Sequence, residues 1–531
     1  MQARLFVCPK RTTDLQQLLY LWPSNHSKLS VLKKLAGQTV IYGLSSILSR
    51  LLSFVILTPY LTYKFERVDF AIQTDLYVWA AFLLVLLTHR METALFRFGA
   101  KAENRNQVFR TAAFSVLFHT SIILGSLALL GPSLAHWLAY PEFTHYVYLM
   151  LGIIGFDALM ALPFARLRLA GKAIPFAALK ILNLLIYLGA LLFFLELGPS
   201  LAQSGSLGSA YWFDPNLGIG YLFVANLLAN LICFLFLLPQ YRFLLQKPKG
   251  QPYFDPQLWQ KMMRYALPLI FAGFASMINE LADRSLLKVL LPGTIEERLA
   301  QMGVYSAAYK LAVFMNLFTQ AFNYAAEPFF FRQAAAKQDK AIYAQVARLF
   351  TLVGALAFVG LVCFMDLIQY FLGQDFREGI GVVPILLMAN LFLGLYYNFA
   401  IWFKLSDRTQ YGAYIAVLGA GITLTLNFLL IPILGYWASA WATLACYFAM
   451  SMTAYFLGQK HYPIPYPLQS IFFYIFAALG SVCLFWGLQA YVLPIGPIQY
   501  IFSALCCLLF LGLVFLKDRR WLLSIFRPKS A

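Results

Sequence analysis

Charged residues are scarce in this sequence: Asp, Glu, Lys and Arg make up 12% of its 531 residues, about half of the fraction in soluble domains. Hydrophobic residues make up 61%, more than a soluble core of this length requires. Acidic residues are the scarcest, with 22 Asp and Glu against 40 Lys and Arg and a formal net charge of +18. The composition indicates an integral membrane protein, and we expect its basic residues in cytoplasmic loops rather than on a nucleic-acid-binding surface.

Sequence features of many enzymes and pumps are also missing. The seven cysteines form no C-x-x-C pair and have no histidine at ligand spacing, so we predict no metal site. The sequence contains no G-x-x-x-x-G-K-[ST] loop for ATP and no H-E-x-x-H or G-x-S-x-G motif. No outer connection between the apolar segments is long enough to fold as a catalytic domain. We therefore expect a protein that is not an enzyme and uses no cofactor.

Long apolar segments, in contrast, are abundant. A helix of about 20 apolar residues crosses a bilayer core of about 30 Å, and fourteen segments of this kind are separated by polar connections. The predicted spans are 38–62, 69–89, 109–131, 145–165, 173–195, 217–239, 262–287, 302–325, 344–366, 380–403, 412–433, 435–457, 468–490 and 497–516. We predict an all-α polytopic membrane protein with these fourteen transmembrane helices.

The distribution of Lys and Arg predicts which side of the membrane each connection faces. Most of them lie at the two termini and in the even-numbered connections. The opposite side holds only Lys64, Arg67, Lys288, Arg298 and Arg377. Because cytoplasmic loops are enriched in Lys and Arg, both termini are predicted to be cytoplasmic. Residues 1–35 are basic and lack the apolar segment and cleavage site of a secretory signal peptide.

A candidate internal repeat divides the chain into two halves. A shift of 235 residues places 75–79 (DLYVW) on 310–314 (KLAVF) and 92–97 (ETALFR) on 327–332 (EPFFFR). Six predicted helices separate the copies, so the halves run in the same direction through the membrane as a parallel repeat of six helices each. The predicted organisation is a basic cytoplasmic arm, an N-terminal lobe, a cytoplasmic linker, a C-terminal lobe, a last helix pair and a basic cytoplasmic tail, at 1–35, 36–240, 241–261, 262–457, 458–516 and 517–531.

Several ionisable residues lie inside the predicted spans. Each costs at least about 2.5 kcal/mol at the bilayer centre, so each needs a partner, water or a function. The cations are Arg50, Lys180, Arg284 and Lys310. The acids, which are candidates for charge pairing or ion coupling, are Asp75, Asp157, Glu280 and Asp283. Two further pairs, Glu92 with Arg97 and Glu327 with Arg332, lie at predicted cytoplasmic helix ends, where we expect them to gate or anchor the interface between the lobes.

Two hypotheses account for the intramembrane charges. In the first, Arg50 pairs with Asp75 and Arg284 pairs with Glu280, and the pairs lock the two halves together. In the second, the four cations line a hydrated cavity between the halves and bind an anionic head group such as a pyrophosphate. We favour the second hypothesis, and an acid could still neutralise an arginine when the cavity is empty.

Motifs in the seventh and eighth predicted helices match a known superfamily. The segments 303–310 (GVYSAAYK), 320–323 (QAFN) and 327–331 (EPFFF), with the pair Asp283-Arg284, resemble the polysaccharide-export branch of the multidrug/oligosaccharidyl-lipid/polysaccharide exporter superfamily. The resemblance implies two MATE-like six-helix lobes in a V shape plus a C-terminal helix pair. It also implies a flippase of the bacterial inner membrane that moves undecaprenyl-pyrophosphate-linked oligosaccharide by alternating access, for O-antigen, capsule or exopolysaccharide synthesis.

The same superfamily contains two alternatives. One is an H⁺- or Na⁺-coupled drug antiporter, in which one of the intramembrane acids would couple transport to the ion. The other is a lipid II flippase, although such proteins have several arginines around the first helices and the first predicted helix here has only Arg50. Twelve-helix drug exporters lack a last pair like 468–516. The expected partners are therefore a lipid-linked oligosaccharide and membrane lipids, with H⁺ or Na⁺ as candidate coupling ions and no nucleic acid.

Overall fold

Helices make up most of the part of the chain that the computed structural model describes, which comprises residues 48, 50–101, 105–204, 213–245, 252–335, 339–406, 408–491 and 497–526. No strand occurs among these residues. The predicted basic arm, 1–35, lies outside them. The longer helices are α1 (50–64), α2 (Arg67–Thr88), α3 (Met91–Lys101), α4 (Arg105–Leu129), α5 (Thr144–Leu169), α6 (Ala173–Leu192), α7 (Gly220–Leu237), α8 (Pro256–Leu290), α9 (Ile295–Ala335), α10 (Ala341–Cys363), α11 (Val383–Phe399), α12 (Gln410–Leu434), α13 (Tyr436–His461), α14 (Leu468–Tyr491) and α15 (Pro497–Phe526).

Short helical segments connect the longer ones. They are Gly131–Trp137, Pro141–Phe143, Phe193–Leu197, Gly198–Ser204, Pro215–Leu217, Leu238–Tyr241, Arg242–Leu245, Met365–Ile368, Gln369–Phe371, Gln374–Val382 and Ile401–Leu405. The turn between α12 and α13 consists of one residue, Gly435, with φ of 61°. A side chain is strained in that left-handed conformation, so glycine permits the abrupt reversal between the two helices.

Twelve helical segments of the described chain are long and apolar enough to cross a membrane. They coincide with twelve of the predicted spans, and the chain is therefore a multi-pass membrane protein. The first and eighth predicted spans are not among the twelve. Helix α1 is described only in part, and α9 contains the polar residues Lys310, Asn316 and Gln320, which lower its hydropathy. The total of fourteen spans and the parallel repeat stay predictions.

Some helices extend beyond their predicted ends. The side chain of Asp255 accepts a hydrogen bond from the backbone N–H of Leu258 (3.0 Å), and Pro256 follows at the first helical position. This arrangement caps a helix start, so α8 begins inside the predicted linker 241–261. At the other end of the chain, α15 continues to Phe526, inside the predicted tail, after a non-helical residue at Asp518.

The packing of the helices places α8 at the centre. In the N-terminal half, α5 contacts α2, α4 and α7, and α6 contacts α7; in the C-terminal half, α11 contacts α9, α10 and α13. Helix α8 packs against α12 of its own half and also against α2, α3 and α4 of the other half. Helices α14 and α15 pack on α10, where Asp518 pairs with Arg348. The two halves therefore meet along α8 and α9, and α14 and α15 pack on the C-terminal half.

Candidate functional site

A polar cavity of about 700 Å³ lies between the two halves. Helices α1, α2, α6 and α7 form its wall on the N-terminal side, and α8 and α9 form the opposite wall. All four of the intramembrane cations predicted from the sequence line it: Arg50, Lys180, Arg284 and Lys310. Of the four predicted acids, only Glu280 belongs to the lining. The structure thus brings together cations from four different helices around one space.

Amide and tyrosine side chains also line this cavity, and the sequence analysis did not identify them. They are Gln73, Tyr77, Asn183, Tyr187, Asn226, Tyr309, Asn316 and Gln320. One hydrogen bond links the walls of α7 and α2, from Asn226 Nδ2 to Tyr77 Oη at 2.6 Å. Their spacing could have indicated some of them. Polar residues three or four apart inside an apolar segment share one helix face, as Asn316 and Gln320 do. The cavity is therefore rich in neutral hydrogen-bonding groups as well as cations.

Arg50 reaches across the cavity from α1 to α9. Its Nη1 donates a hydrogen bond to Oε1 of Gln320 at 2.9 Å, and Nε2 of Gln320 donates to Oδ1 of Asn316 at 2.6 Å. The predicted pair between Arg50 and Asp75 is not formed, because Asp75 is directed to the other side of α2. Arg50 is exposed.

Lys180 lies on α6 beside the acid of α5. Its Nζ is 4.3 Å from the centre of the Phe164 ring, and its charge interacts with that of Asp157. Asp157 accepts a hydrogen bond from Nδ2 of Asn230 (3.0 Å), and Asn183 donates to the same Asn230 (3.0 Å). The predicted acid Asp157 thus stands behind the cavity wall, where it supports Lys180 without reaching the cavity itself.

Arg284 is held by three contacts on the opposite wall. Its Nη1 donates to the backbone carbonyl of Glu280 at 2.9 Å and lies 3.6 Å from Oδ1 of Asp283. The guanidinium also covers the Tyr309 ring, 4.3 Å from its centre. The prediction that Arg284 pairs with the carboxylate of Glu280 is wrong, because Arg284 uses the Glu280 main chain and turns its charge toward Asp283. Asp283 is buried and accepts a hydrogen bond from Tyr305 at 2.5 Å.

Two charged groups of the cavity have no direct partner. Within the described part of the chain, Lys310 and the carboxylate of Glu280 form no hydrogen bond or ion pair. Glu280 is exposed and Lys310 is half-buried. A charge that no protein group satisfies in a membrane-embedded cavity is available for water or a ligand.

Asp75 forms the one buried ion pair that the described residues place between α2 and α8. Its Oδ2 accepts from Nζ of Lys288 at 2.5 Å and from Tyr140 at 3.0 Å, and its Oδ1 accepts from Ser285 at 2.7 Å. Lys288 donates a second bond to the backbone carbonyl of Leu138 at 2.8 Å. The sequence analysis placed Lys288 in an outer connection, which is wrong, because α8 continues to Leu290 and Lys288 is 7% exposed.

The pairs predicted at the cytoplasmic helix ends are Glu92 with Arg97 and Glu327 with Arg332. Glu92 lies 3.9 Å from Arg90 rather than pairing with Arg97. Arg97 instead covers the ring of Tyr265 on α8, 4.2 Å from its centre. The contact joins the two halves at the predicted cytoplasmic side. The side chains of Glu327 and Arg332, which form the corresponding pair on α9, lie outside the described residues.

At the predicted outer side, polar contacts join the two halves. Nη1 of Arg67 lies 2.8 Å from Oε2 of Glu378, and the hydroxyl of Tyr63 donates to the carbonyl of Tyr370 at 2.8 Å. The backbone N–H of Gly373 donates to Oγ1 of Thr62 at 3.1 Å. We call these three contacts the outer closure. The halves are thus joined where α1 turns into α2.

The approach at the outer closure depends on a glycine. A Cβ atom at Gly303 of α9 would come within 2.2 Å of the backbone carbonyl oxygen of Arg67. Since that oxygen belongs to the backbone, a larger residue could not be accommodated by a rotamer change. Gly303 therefore permits α9 to contact the start of α2.

A second, smaller cavity of about 270 Å³ lies on the other face of α2. Its lining is entirely apolar and includes Trp79, Leu83 and Trp137 from the N-terminal half and Phe274 from α8. Such a space excludes charged head groups. Among the described residues, no group of three or more His, Cys, Asp or Glu side chains is arranged to hold a metal ion.

Comparison with known proteins identifies a family and several solved structures that this chain resembles. The family described as "Polysaccharide biosynthesis protein" matches residues 35–334, more than half of the chain. A search of curated proteins found no match. Among solved structures, "Lipid II flippase MurJ, inward closed conformation" matches with a TM-score of 0.68 and 12% identity, over 91% of this chain and 100% of that chain.

Transporters of the MATE family show a more distant likeness. An outward-facing multidrug resistance MATE family transporter of the MOP superfamily has a TM-score of 0.55 and 13% identity, over 81% of this chain and 94% of that one. An inward-facing structure described in the same terms has a TM-score of 0.55 and 13% identity, over 80% and 94%. At these identities the likeness shows a shared fold.

Proposed function

The chain belongs to the polysaccharide biosynthesis protein family, and from this premise we propose that it is a flippase for an undecaprenyl-pyrophosphate-linked oligosaccharide in the bacterial inner membrane. The observation that carries the proposal is the position of Arg50, Lys180, Arg284 and Lys310 around one cavity between the halves. Cations inside a membrane protein are costly when they lack a counter-charge. A pyrophosphate that enters the cavity would supply that counter-charge.

The remaining groups of the cavity fit the other parts of such a head group. The guanidinium groups of Arg50 and Arg284 can each donate two parallel hydrogen bonds to phosphate oxygens, whereas Lys180 and Lys310 act as point charges. The amides and tyrosines of the lining can donate to and accept from sugar hydroxyls. The isoprenoid chain is apolar and would remain in the bilayer.

The contacts between the halves support alternating access. The outer closure and the Asp75–Lys288 pair join the two halves at the predicted outer side. For release into the outer leaflet, α8 must separate from α2 at this end. These polar groups then lose their contacts with each other and form hydrogen bonds with water instead. The head group would therefore bind from the cytoplasmic side and leave after the outer contacts open. The basic cytoplasmic ends, with their affinity for anionic lipid, would favour this orientation.

Replacement of the two arginines tests the proposal. In a strain that lacks the gene, the wild-type protein should restore surface polysaccharide, whereas Arg50→Ala and Arg284→Ala should lose most export at unchanged abundance in the membrane. The matched control is Arg105→Ala, since Arg105 is exposed at the start of α4 and outside the cavity lining. Normal export by both cavity variants would contradict the proposal.

The same strain separates the alternatives within the superfamily. Accumulation of an undecaprenyl-linked oligosaccharide supports the proposed substrate, whereas accumulation of lipid II would indicate a peptidoglycan precursor. Increased drug susceptibility with normal polysaccharide would indicate an ion-coupled drug antiporter. The coupling ion of an antiporter would then be sought at Glu280, Asp283, Asp157 and Asp75.

A further inference from the structure

The four cations of the cavity form two separate pairs. The guanidinium of Arg50 lies beside Gln320 of α9, whereas that of Arg284 lies over Tyr309, next to Lys310. Gln320 and Lys310 are ten residues apart on one helix, which is about 15 Å along its axis at a rise of 1.5 Å per residue. These two positions on α9 are farther apart than the outermost oxygens of one pyrophosphate group.

Each arginine has a lysine as its neighbour. Lys180 and Arg50 line the cavity from the same half and their charges interact, and Lys310 directly follows Tyr309, whose ring the Arg284 guanidinium covers. We call Arg50 with Lys180 the inner pair and Arg284 with Lys310 the outer pair. The outer pair lies nearer to the outer closure, because Gly303, which contacts Arg67, is seven residues from Lys310 and seventeen from Gln320 on α9.

The two pairs belong to different halves of the molecule. Arg50 and Lys180 come from α1 and α6 of the N-terminal half, whereas Arg284 and Lys310 come from α8 and α9 of the C-terminal half. A rocking motion of one half against the other therefore changes the distance between the pairs while each pair keeps its own geometry. Each pair has one guanidinium and one ammonium group, a set that suits a diphosphate.

The local charge balance differs between the pairs. Asp283 and the carboxylate of Glu280 lie beside the outer pair and can cancel its two positive charges. Near the inner pair, Asp157 is the one acid among the described residues whose charge interacts with Lys180. The inner pair therefore retains net positive charge, and at low dielectric this difference favours anion binding there.

The exposure of the two arginines follows the same order. Arg50 is exposed and Arg284 is only 6% exposed, whereas Lys180 and Lys310 are both half-buried. With the outer closure formed, an anion meets the inner pair first.

We propose that the cavity contains two successive diphosphate sites, a capture site formed by Arg50 and Lys180 and a release site formed by Arg284 and Lys310, and that the head group passes from the first to the second as the halves rock. The inference rests on the proposed function for the identity of the transported lipid. The existence of two sites of unequal affinity is independent of that identity.

Binding of farnesyl pyrophosphate to the purified full-length protein in nanodiscs tests the inference. Since a hydrogen bond to a charged group contributes about 1.5–3 kcal/mol, Arg50→Ala and Lys180→Ala should each weaken binding about tenfold or more. Lys310→Ala should change affinity less than about threefold, because it alters the weaker site. All three variants should nevertheless lose export, since transfer requires both sites.

The controls separate charge recognition from lipid binding and from misfolding. Lys172→Ala removes an exposed lysine outside the cavity lining and should bind as the wild type does. Farnesol, which has the same chain without the pyrophosphate, should show no dependence on any of these lysines. Because Arg50 is exposed, we expect Arg50→Ala to fold even if Lys180→Ala does not. In that case the affinity of Arg50→Ala alone tests the capture site.

Equal loss of affinity in Lys180→Ala and Lys310→Ala would overturn the inference, because it would indicate a single site. A wild-type protein that does not bind farnesyl pyrophosphate would overturn it as well. If the unequal binding pattern is found but the gene does not restore surface polysaccharide, the two sites stand and the proposed function fails.

Discussion

Two groups of charges on α2, α8 and α9 differ in how the protein satisfies them. Asp75 is completely buried and accepts hydrogen bonds from Lys288, Tyr140 and Ser285. Lys310 and Glu280, in contrast, face the cavity and have no direct partner within the described chain. An intramembrane charge whose bonds are all made inside the protein stabilises the packing of helices, whereas one directed into a cavity can bind a ligand. Depth in the membrane alone does not distinguish the two.

Removal of Lys288 should give the largest effect on stability. Lys288→Ala leaves the Asp75 carboxylate buried without its cation, a loss of about 3–5 kcal/mol for a buried pair. We expect a large fall in the thermal unfolding temperature of the detergent-solubilised protein and low abundance in the membrane.

A double variant sharpens this result. Asp75→Asn with Lys288→Met removes both charges at similar volume and should recover most of the stability. The matched control is Lys261→Ala, because Lys261 is exposed on the same helix. If Lys288→Ala were as stable as Lys261→Ala, the Asp75–Lys288 pair would not be what holds α8 to α2.

Neutralisation of Glu280 should give an intermediate effect, on transport rather than stability. Glu280→Gln removes a negative charge beside Arg284 and Lys310, so an anion should dissociate several-fold more slowly from the outer pair. We expect slower export of polysaccharide and slower release of farnesyl pyrophosphate, with an unchanged unfolding temperature. Glu142→Gln, at an exposed acid outside the cavity lining, is the control. Faster export by Glu280→Gln would contradict this role.

The exposed ion pair of the outer closure should give the smallest effect. The side chains of Arg67 and Glu378 are 34% and 60% exposed, and pairs of that kind contribute about 0–1 kcal/mol. Glu378→Gln should therefore unfold within a few degrees of the wild type, and the remaining difference should vanish at high salt. A loss comparable to that of Lys288→Ala would mean that burial does not account for the difference between the two pairs.

The sequence was sufficient to predict twelve helices that are long and apolar enough to cross a membrane, and the cations of the cavity. Arg50, Lys180, Arg284 and Lys310 were identified because a charge inside an apolar segment is conspicuous and costly wherever the helix packs. Their assembly around one space agrees with the second hypothesis on the intramembrane charges, and their role as ligands of a substrate stays a prediction. The amides of the same cavity were missed because a neutral polar residue in an apolar helix is common.

The pairing of these charges could not be predicted. Asp75 was assigned to Arg50 and Arg284 to the carboxylate of Glu280, whereas the structure pairs Asp75 with Lys288 and Arg284 with Asp283. Glu280 and Arg284 do share a helix face, but a side chain selects its partner from every helix that packs against it. The rotation and tilt of α2 against α8 fixed that choice, and neither can be derived from spacing along one helix.

What the sequence determined by itself is therefore local: where helices cross the membrane, which side the basic connections are predicted to face, and which spans contain charges. A helix in lipid satisfies its own backbone hydrogen bonds, so its position follows from its own hydropathy. What only the tertiary structure decided is relational: that cations from four helices share one cavity, that Arg50 and Arg284 contact α9 at Gln320 and Tyr309, and that Asp75 is neutralised by Lys288. These facts depend on how helices distant in sequence pack, because electrostatic attraction acts between groups that packing has already brought together.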